Sequence, residues 1–404
     1  MYSQKQMEIL KFASSEYDAL ICDGAVRSGK TSIMSMVFII WAMRNFSNTS
    51  FAVCGKSVQS AVRNILRPLM AMTYWNKYGF ILKYSVSNHC LMVTKGDRTN
   101  YFYVFGGKDE SSYMLIQGMT LAGVFLDEVA LMPRSFVEQA LARCSIDGSK
   151  FWFNCNPDNP QHWFYTEWIL KSEERNAKHL HFLMTDNPSL SPEILKRYES
   201  MYSGVFYERY ILGQWVVAEG LVYPMFDKET TVVKPDSSMH YGRYKISCDY
   251  GTLNASSFGL WGLGDDGIWY RLDEFYHSGR ETNRLLTDEE YYAALENLAG
   301  DRAIDKVIVD PSAASFITCI KRHGKYRVAH ASNRVTDGIR LTAVQLQQGR
   351  IKIQNNCKDI IKEFGLYRWD EKSHEDKPIK DNDHAMDDMR YFVMDTFRQS
   401  AVRF

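Results

Sequence analysis

Short apolar runs alternate with amphipathic stretches over the first half of the chain. Residues 19–22, 51–54, 91–93, 101–105, 123–126 and 151–153 each read as a strand, with helix-compatible segments between several of them. Continuous apolar strands separated by helices predict an α/β unit around a largely parallel, buried sheet. A turn-rich run at 185–192 breaks this pattern and opens a helix read through Arg209. After Gly213-Gln-Trp-Val-Val-Ala-Glu-Gly220 and a loop to about Ser238, a second pattern begins. Three strands come in succession (244–249, 257–262, 269–275), the latter two joined by the hairpin signal Gly264-Asp-Asp-Gly267. A helix at 288–298, strands at 306–310, 327–329 and 351–353, a helix at 336–348 and a closing helix from about Asp383 complete it. The expected division is 1–185, a linker subdomain 186–237, and 238–404.

A chain of 404 residues is too long for one ordinary core, which agrees with two α/β units. The longest apolar run, 33–43, is too short for a bilayer span, and the opening residues lack the layout of an export signal. A soluble protein without membrane association is expected. The eight cysteines are scattered without a Cys-x-x-Cys pair, which reads as free thiols in a reducing cytoplasm. Formal net charge is zero, so a nucleic-acid partner has to be held by a local basic patch. Lys321, Arg322 and Lys325 are candidates, although a basic run is usually a solvated face.

Gly24-Ala-Val-Arg27-Ser28-Gly29-Lys30-Thr31 satisfies the phosphate-loop pattern in full. A strand leads in and a helix-compatible run, 32–43, leads out. Backbone N–H groups of such a loop point at phosphate oxygens, Lys30 adds a charge near the β/γ-phosphates, and Thr31 can hold Mg²⁺. By chance this pattern arises in roughly one chain in a hundred of this length, so ATP is the expected ligand. Its partner is the apolar run ending in Asp127-Glu128, with Asp127 toward Mg²⁺ and Glu128 placed to orient or deprotonate the attacking water. Arg27 either reaches the γ-phosphate or faces solvent. Asn154 and Asn156, after the strand at 151–153, either sense the γ-phosphate or form a turn.

In the second half Asp249 and Asp310 end strands, and Asp381-Asn-Asp383-His384-Ala-Met-Asp387-Asp388 opens a helix on which His384 and Asp387 share a face. Two strand-end acids and a helical pair suit a two-Mg²⁺ phosphodiester site, with Mn²⁺ an alternative there. Each acid alone is more simply a surface carboxylate, and a domain that binds without cutting stays open. Residues 367–379 read as a charged hairpin, either solvated or folded over the metals.

The phosphate loop with its internal Arg27, the run to Glu128, Asn154-Cys-Asn-Pro-Asp-Asn-Pro, Tyr210-Ile-Leu-Gly-Gln-Trp and Asp383-His-Ala-Met-Asp387, in this order, resemble the large terminase subunit of tailed bacteriophages, in particular those of Gram-positive phages and prophages. The resemblance covers essentially the whole chain. It implies a P-loop NTPase domain followed by a ribonuclease-H-like nuclease domain, driving double-stranded DNA into a procapsid and cutting concatemers. It also implies an adenine contact at Gln6, nuclease metal ligands at Asp249, Asp310, His384 and Asp387, with Asp383 and Asp388 open. Further expectations are a portal protein and a small terminase subunit as partners, a homo-oligomeric ring, and a place in the host cytoplasm, transiently on the portal vertex. The rival reading is a P-loop helicase or recombination ATPase with a C-terminal domain that does not cleave.

Overall fold

The computed structural model describes residues 2–251, 255–282, 284–371, 373 and 376–401. The chain forms two compact units, one of residues 1–199 and 207–217, the other of 200–206 and 218–404. The expected linker segment 186–237 is thus divided between them.

Among the described residues of the first unit, eight strands form one sheet: β1 (Ala19–Gly24), β2 (Ser50–Gly55), β3 (Ile81–Ser85), β4 (Cys90–Lys95), β5 (Arg98–Gly106), β6 (Gly123–Asp127), β7 (Lys150–Asn154) and β8 (Ala177–Phe182), in the order β3-β4-β5-β2-β6-β7-β1-β8. From β5 to β8 all pairings are parallel, while β3, β4 and β5 run antiparallel at one edge. Two edge strands, β3 and β8, were not expected. In β8 the sequence Ala-Lys-His-Leu-His-Phe lacks a continuous apolar run because one of its faces is polar. Helix α1 (Gln4–Phe12) is closed by a reciprocal Ser3/Gln6 cap. Helix α2 (Lys30–Asn45) is buried nearly all round, with Phe38 and Trp41 packed among Phe51, Phe102, Phe125 and Trp152. The helix expected through Arg209 is two, α3 (Pro192–Glu199) and α4 (Gly204–Tyr210), parted at residues 200–203.

The second unit has a sheet of β9 (Val232–Val233), β10 (Tyr241–Asp249), β11 (Ala255–Gly264), β12 (Trp269–Ser278), β13 (Ile304–Val309), β14 (Val328–His330) and β15 (Ile351–Gln354), ordered β14-β13-β10-β11-β12-β15-β9. The antiparallel meander β10-β11-β12 is flanked on both sides by parallel strands. Helices α5 (Asp288–Ala299), α6 (Ala314–His323), α7 (Val335–Gln347), α8 (Lys358–Phe364) and α9 (His384–Ala401) accompany it. Helices α6 and α8 were not anticipated. In the expected hairpin at 367–379, Trp369 bridges Pro378 and Asp370 N–H donates to Lys377 O at 2.8 Å; its residues 372, 374 and 375 lie outside the described residues.

Buried charge fixes α9 on this sheet. Arg271 and Asp388 are both fully buried, and Arg271 Nη1 meets Asp388 Oδ1 at 2.6 Å, with Nη2 at 3.0 Å from Oδ2. Ser247 and Ser257 hydroxyls donate to the same carboxylate, and Trp261 donates to Ser247. Arg271 Nη2 also reaches Glu274, whose carboxylate accepts from the Asp359 and Ile360 amides at the start of α8. On α8, Glu363 accepts from the Ala385 and Met386 amides, capping the N-terminus of α9. A one-sided removal, Arg271→Met, leaves Asp388 buried and unpaired and is expected to cost about 3–5 kcal/mol in denaturant unfolding, most of it recovered in Arg271→Met/Asp388→Leu. Burial raises the Glu363 carboxyl to about 7. A folded-state value above the unfolded one contributes stability present at low pH and lost as pH rises toward and through 7. Glu363→Gln, which mimics the protonated cap, should therefore gain on the wild type by roughly 2–3 kcal/mol between pH 4.5 and 8, read as the difference of two stability-versus-pH curves.

Candidate functional site

In the first unit the site forms where β1, β6 and β7 end. β7 lies between the other two, with Asn154 level with Cys22 on one side and Asp127 on the other. The phosphate loop follows β1 directly. Gly24 has φ +118°, and a Cβ there would fall 2.0 Å from Phe182 O on β8. Only glycine lets the loop turn against that backbone.

Thr31 Oγ1 donates to Asp127 Oδ1 at 3.0 Å, and the Asn154 amide donates to Thr31 Oγ1 at 2.8 Å and to Asp127 Oδ1. Burial holds the Asp127 carboxyl above the usual range, against the pull of these donors and of Lys30. Asn154 Oδ1 is buried without a hydrogen-bond partner. A hydroxyl, a carboxylate and an unpartnered amide oxygen together match the hard oxygen ligands that Mg²⁺ takes. Lys30, only 5% exposed, directs Nζ to the carbonyls of Gly24 (3.0 Å) and Ala25 (2.7 Å), to Ser28 Oγ (3.2 Å) and to Asn156 Oδ1 (3.4 Å). Burial lowers its pKa to about 8.

Two non-glycine residues here occupy the left-handed backbone region, Arg27 (φ 57°) and Glu128 (φ 59°). Such a conformation costs on the order of 1 kcal/mol and collects at functional positions. It sets Glu128 at the turn directly after Asp127. Arg27 is exposed, its guanidinium 5.6 Å from the Tyr198 ring centre, and its carbonyl accepts from Asn187. Gln6 is buried, and its Nε2 lies 2.9 Å from where a Cβ on Gly29 would stand. The structure therefore gathers Gln6, Gly24, Ser28, Gly29, Lys30, Thr31, Asp127 and Asn154 around one loop.

In the second unit β10 delivers Asp249, the residue after β13 is Asp310, and the first turn of α9 carries His384 and Asp387. His384 Nδ1 is 2.9 Å from Asp249 Oδ2. Burial raises the Asp249 carboxyl to about 6, with His384 pulling it down and Asp387 pushing it up. Burial would lower His384, but the Asp249 carboxylate outweighs it and the net shift is upward. Asp310 is held below the usual range; burial opposes this, and bonds from Ser312 and Tyr391 prevail.

Tyr391, to which the sequence reading gave no role, stands between the acids, with its hydroxyl 2.8 Å from Asp310 Oδ2 and 3.5 Å from Asp249 Oδ1. Its signal was available, since it lies four residues beyond Asp387 on one helix face. Asp387 Oδ1 is paired with Arg390 at 2.9 Å. Asp383 is buried and raised by burial and by Asp387. Asp388 does not belong to this group, because its carboxylate faces the core and is held by Arg271.

Among the described residues, the group of three His, Cys, Asp or Glu side chains whose ligand atoms all lie within 4.8 Å of one another is Glu289, Cys319 and His323; of the predicted four, Asp249 and His384 are in contact but no three meet that closely. Among those four, Tyr391 bridges Asp310 and Asp249 and Arg390 pairs with Asp387. Glu289 and His323 are exposed and paired with each other at 2.7 Å. Of the basic candidates, Arg322 faces Glu289 and Lys325 faces Glu296. Among the described residues no helix is long and apolar enough to cross a membrane.

Comparison with known proteins agrees with both halves. The family described as Terminase large subunit, T4likevirus-type, N-terminal, matches residues 21–230. The large terminase subunit of Escherichia phage T5 is 27% identical over 135 residues, a stretch spanning 32% of this chain and 30% of that protein. The large terminase of a thermophilic bacteriophage superposes with a TM-score of 0.92 at 47% identity, covering 98% of this chain and 99% of that one. The same thermophilic phage protein in complex with ADP superposes with a TM-score of 0.89 at 46% identity, over 98% of this chain and 100% of that one. With a phosphate loop and carboxylate strand in one unit and acids grouped at strand ends and on a helix in the other, the chain belongs to the terminase large subunit family, the ATPases and nucleases of viral DNA packaging.

Proposed function

We propose that the first unit hydrolyses ATP to drive double-stranded DNA into a procapsid, and that the second cuts concatemeric DNA in a metal-dependent reaction. The observation that carries this is the Thr31–Asp127–Asn154 cluster beside Lys30. The thermophilic phage terminase, alike over nearly its whole length, has been solved with ADP bound, which supports a nucleotide at the same loop.

In this reading the Gly24, Ser28 and Gly29 backbone cradles the phosphates and Lys30 leaves its loop carbonyls for the β/γ-phosphates. Gln6 contacts the adenine. Thr31 and Asp127 would hold Mg²⁺, with Asn154 next to them. Glu128 takes a proton from the attacking water, and Arg27 swings from Tyr198 to offset charge on the transferring phosphoryl group. The segment 186–237 acts as the linker subdomain that couples the ATPase part, 1–185, to the nuclease part, 238–404.

For cutting, Asp249, Asp310, His384 and Asp387 are the residues that would hold Mg²⁺ or Mn²⁺. Bound there, the metal supplies an activated water and neutralises charge at the scissile phosphate. Arg390 releases Asp387, and Tyr391 keeps Asp249 and Asp310 at a fixed spacing. The partners in this proposal are double-stranded DNA, the portal protein and a small terminase subunit. Subunits would form a ring docked on the portal vertex in the host cytoplasm.

Lys30→Ala in the full chain should lower ATPase kcat/KM about a hundredfold or more while leaving nicking of supercoiled DNA with Mn²⁺ intact. Asp310→Ala should do the reverse. ATP turnover untouched by the first change refutes the loop assignment, and wild-type nicking after the second refutes the carboxylate assignment. Chelation of divalent ions should stop both reactions.

A further inference from the structure

Directly before the phosphate loop, Asp23 is 1% exposed; burial pushes its carboxyl up, yet the imidazole donors prevail and hold it well below the ordinary range. An ionised carboxylate can only accept hydrogen bonds. His179 Nε2 (2.8 Å) and His181 Nδ1 (3.1 Å) therefore both donate to Oδ1, while the Trp215 indole N–H donates to Oδ2 at 2.8 Å. The two histidines come from edge strand β8, and Trp215 lies in the segment through which the chain leaves this unit after Val217.

The same segment touches the loop at two further points. Val26 N–H donates to Tyr210 O at 2.9 Å. Gly213 has φ +71°, and a Cβ on it would stand 3.0 Å from Ala25 N and 3.1 Å from the His181 ring, so the segment lies flush on the loop backbone. A second connection runs through the turn after β7. Asn156 reaches Lys30, and two residues on Asp158 accepts from Arg209, whose guanidinium also donates to Val216 O. Trp215 is only half-buried and rests against Tyr165 at 4.8 Å between ring centres. It borders an open cleft of about 590 Å³, also lined by His179, His181 and Leu170, so the indole has room to leave Asp23.

We infer that Trp215 is a positioning residue that couples nucleotide turnover to residues 209–217, its N–H on Asp23 tying this segment to the strand that carries the phosphate loop. When the loop closes on phosphate, Asp23 and Ala25 move with it and the segment follows. Because it continues covalently into the second unit, the displacement is passed along the chain. This rests on the proposed nucleotide site at Gly24–Thr31, and the test separates the two claims.

Amide hydrogen exchange of the full chain, with and without the non-hydrolysable analogue ATPγS, reports both regions at once. In the wild type, ATPγS should slow exchange in 24–31 and change it in 209–217. In Trp215→Phe, which keeps an aromatic ring but loses the N–H, the 24–31 response should persist and the 209–217 response should fall clearly below that of the wild type, the remainder being carried by the Val26–Tyr210 and Asp158–Arg209 bonds. Basal exchange at 210–217 should there rise roughly fivefold, the worth of one hydrogen bond in the local opening equilibrium. A merely structural tryptophan would lose both responses or neither. If Trp215→Phe does not fold, the isosteric Asp23→Asn, which weakens the same bond, should give the same split. A wild type in which only 24–31 responds, or a variant whose 209–217 segment responds as fully as that of the wild type, overturns the coupling. No response at 24–31 overturns the nucleotide site itself, and the coupling with it.

Discussion

The register of β7 between β1 and β6 is the constraint on which the first unit depends. Asn154 stands level with Cys22 and with Asp127, so the amide and the carboxylate end their strands at one height, with the phosphate loop starting just beyond. A slip of one residue would turn Asn154 to the opposite face and leave Asp127 buried with one donor fewer. Parallel pairing aligns the strand ends, and the buried helix α2, locked by Phe38 and Trp41 against the sheet, holds Lys30 and Thr31 over them. The nucleotide site is thus a consequence of sheet register, and its polar groups hold one another except for Asn154 Oδ1, which is left buried without a partner.

The second unit solves a different problem. Asp387 and Asp388 are consecutive, so on a helix their side chains diverge by about 100°. One faces the group formed by Asp249, Asp310 and His384, and the other faces Arg271 beneath the sheet. The buried ion pair sets the rotation of α9, and that rotation decides which acid the site receives. Glu363 then fixes the same helix at its N-terminus, within one residue of His384. The acids are held close although like charges repel, because Tyr391 and Arg390 lie among them.

What could be read in advance follows from where each signal lies. The apolar runs of β1, β2, β6 and β7 were visible because both sheet faces are covered. The phosphate loop was visible because its chemistry is local. β8 was not, since His179 and His181 break its apolar run, and they do so because Asp23 needs donors from that face. Strand β3 is a partly exposed edge with little to bury, whereas α6, Ala-Ser-Phe-Ile-Thr-Cys-Ile-Lys-Arg-His, does carry a helical pattern, burying Phe316, Ile317, Cys319 and Ile320 on one face, over only about three turns. Asp388 could not be told from Asp387 by type or spacing, as only the packing of α9 distinguishes them. Asp23 and Trp215 are far apart in sequence, and no local pattern joins them.

The two buried carboxylates, Asp23 and Asp388, are held in ways suited to different work. Asp388 is gripped by a guanidinium through two oxygens and by two serines, with no exposure at all. Breaking one side of such a pair costs about 3–5 kcal/mol, more than a working cycle could absorb at every step, so it suits a scaffold. Asp23 is held by three single N–H donors from two separate segments, and all three side chains border the open cleft. Releasing the Trp215 bond costs about 1 kcal/mol while the two histidines remain to hold the charge. A carboxylate held in this way can let one partner go without being left unpaired. That difference places the rigid element beneath the acids of the nuclease unit and the yielding one next to the phosphate loop.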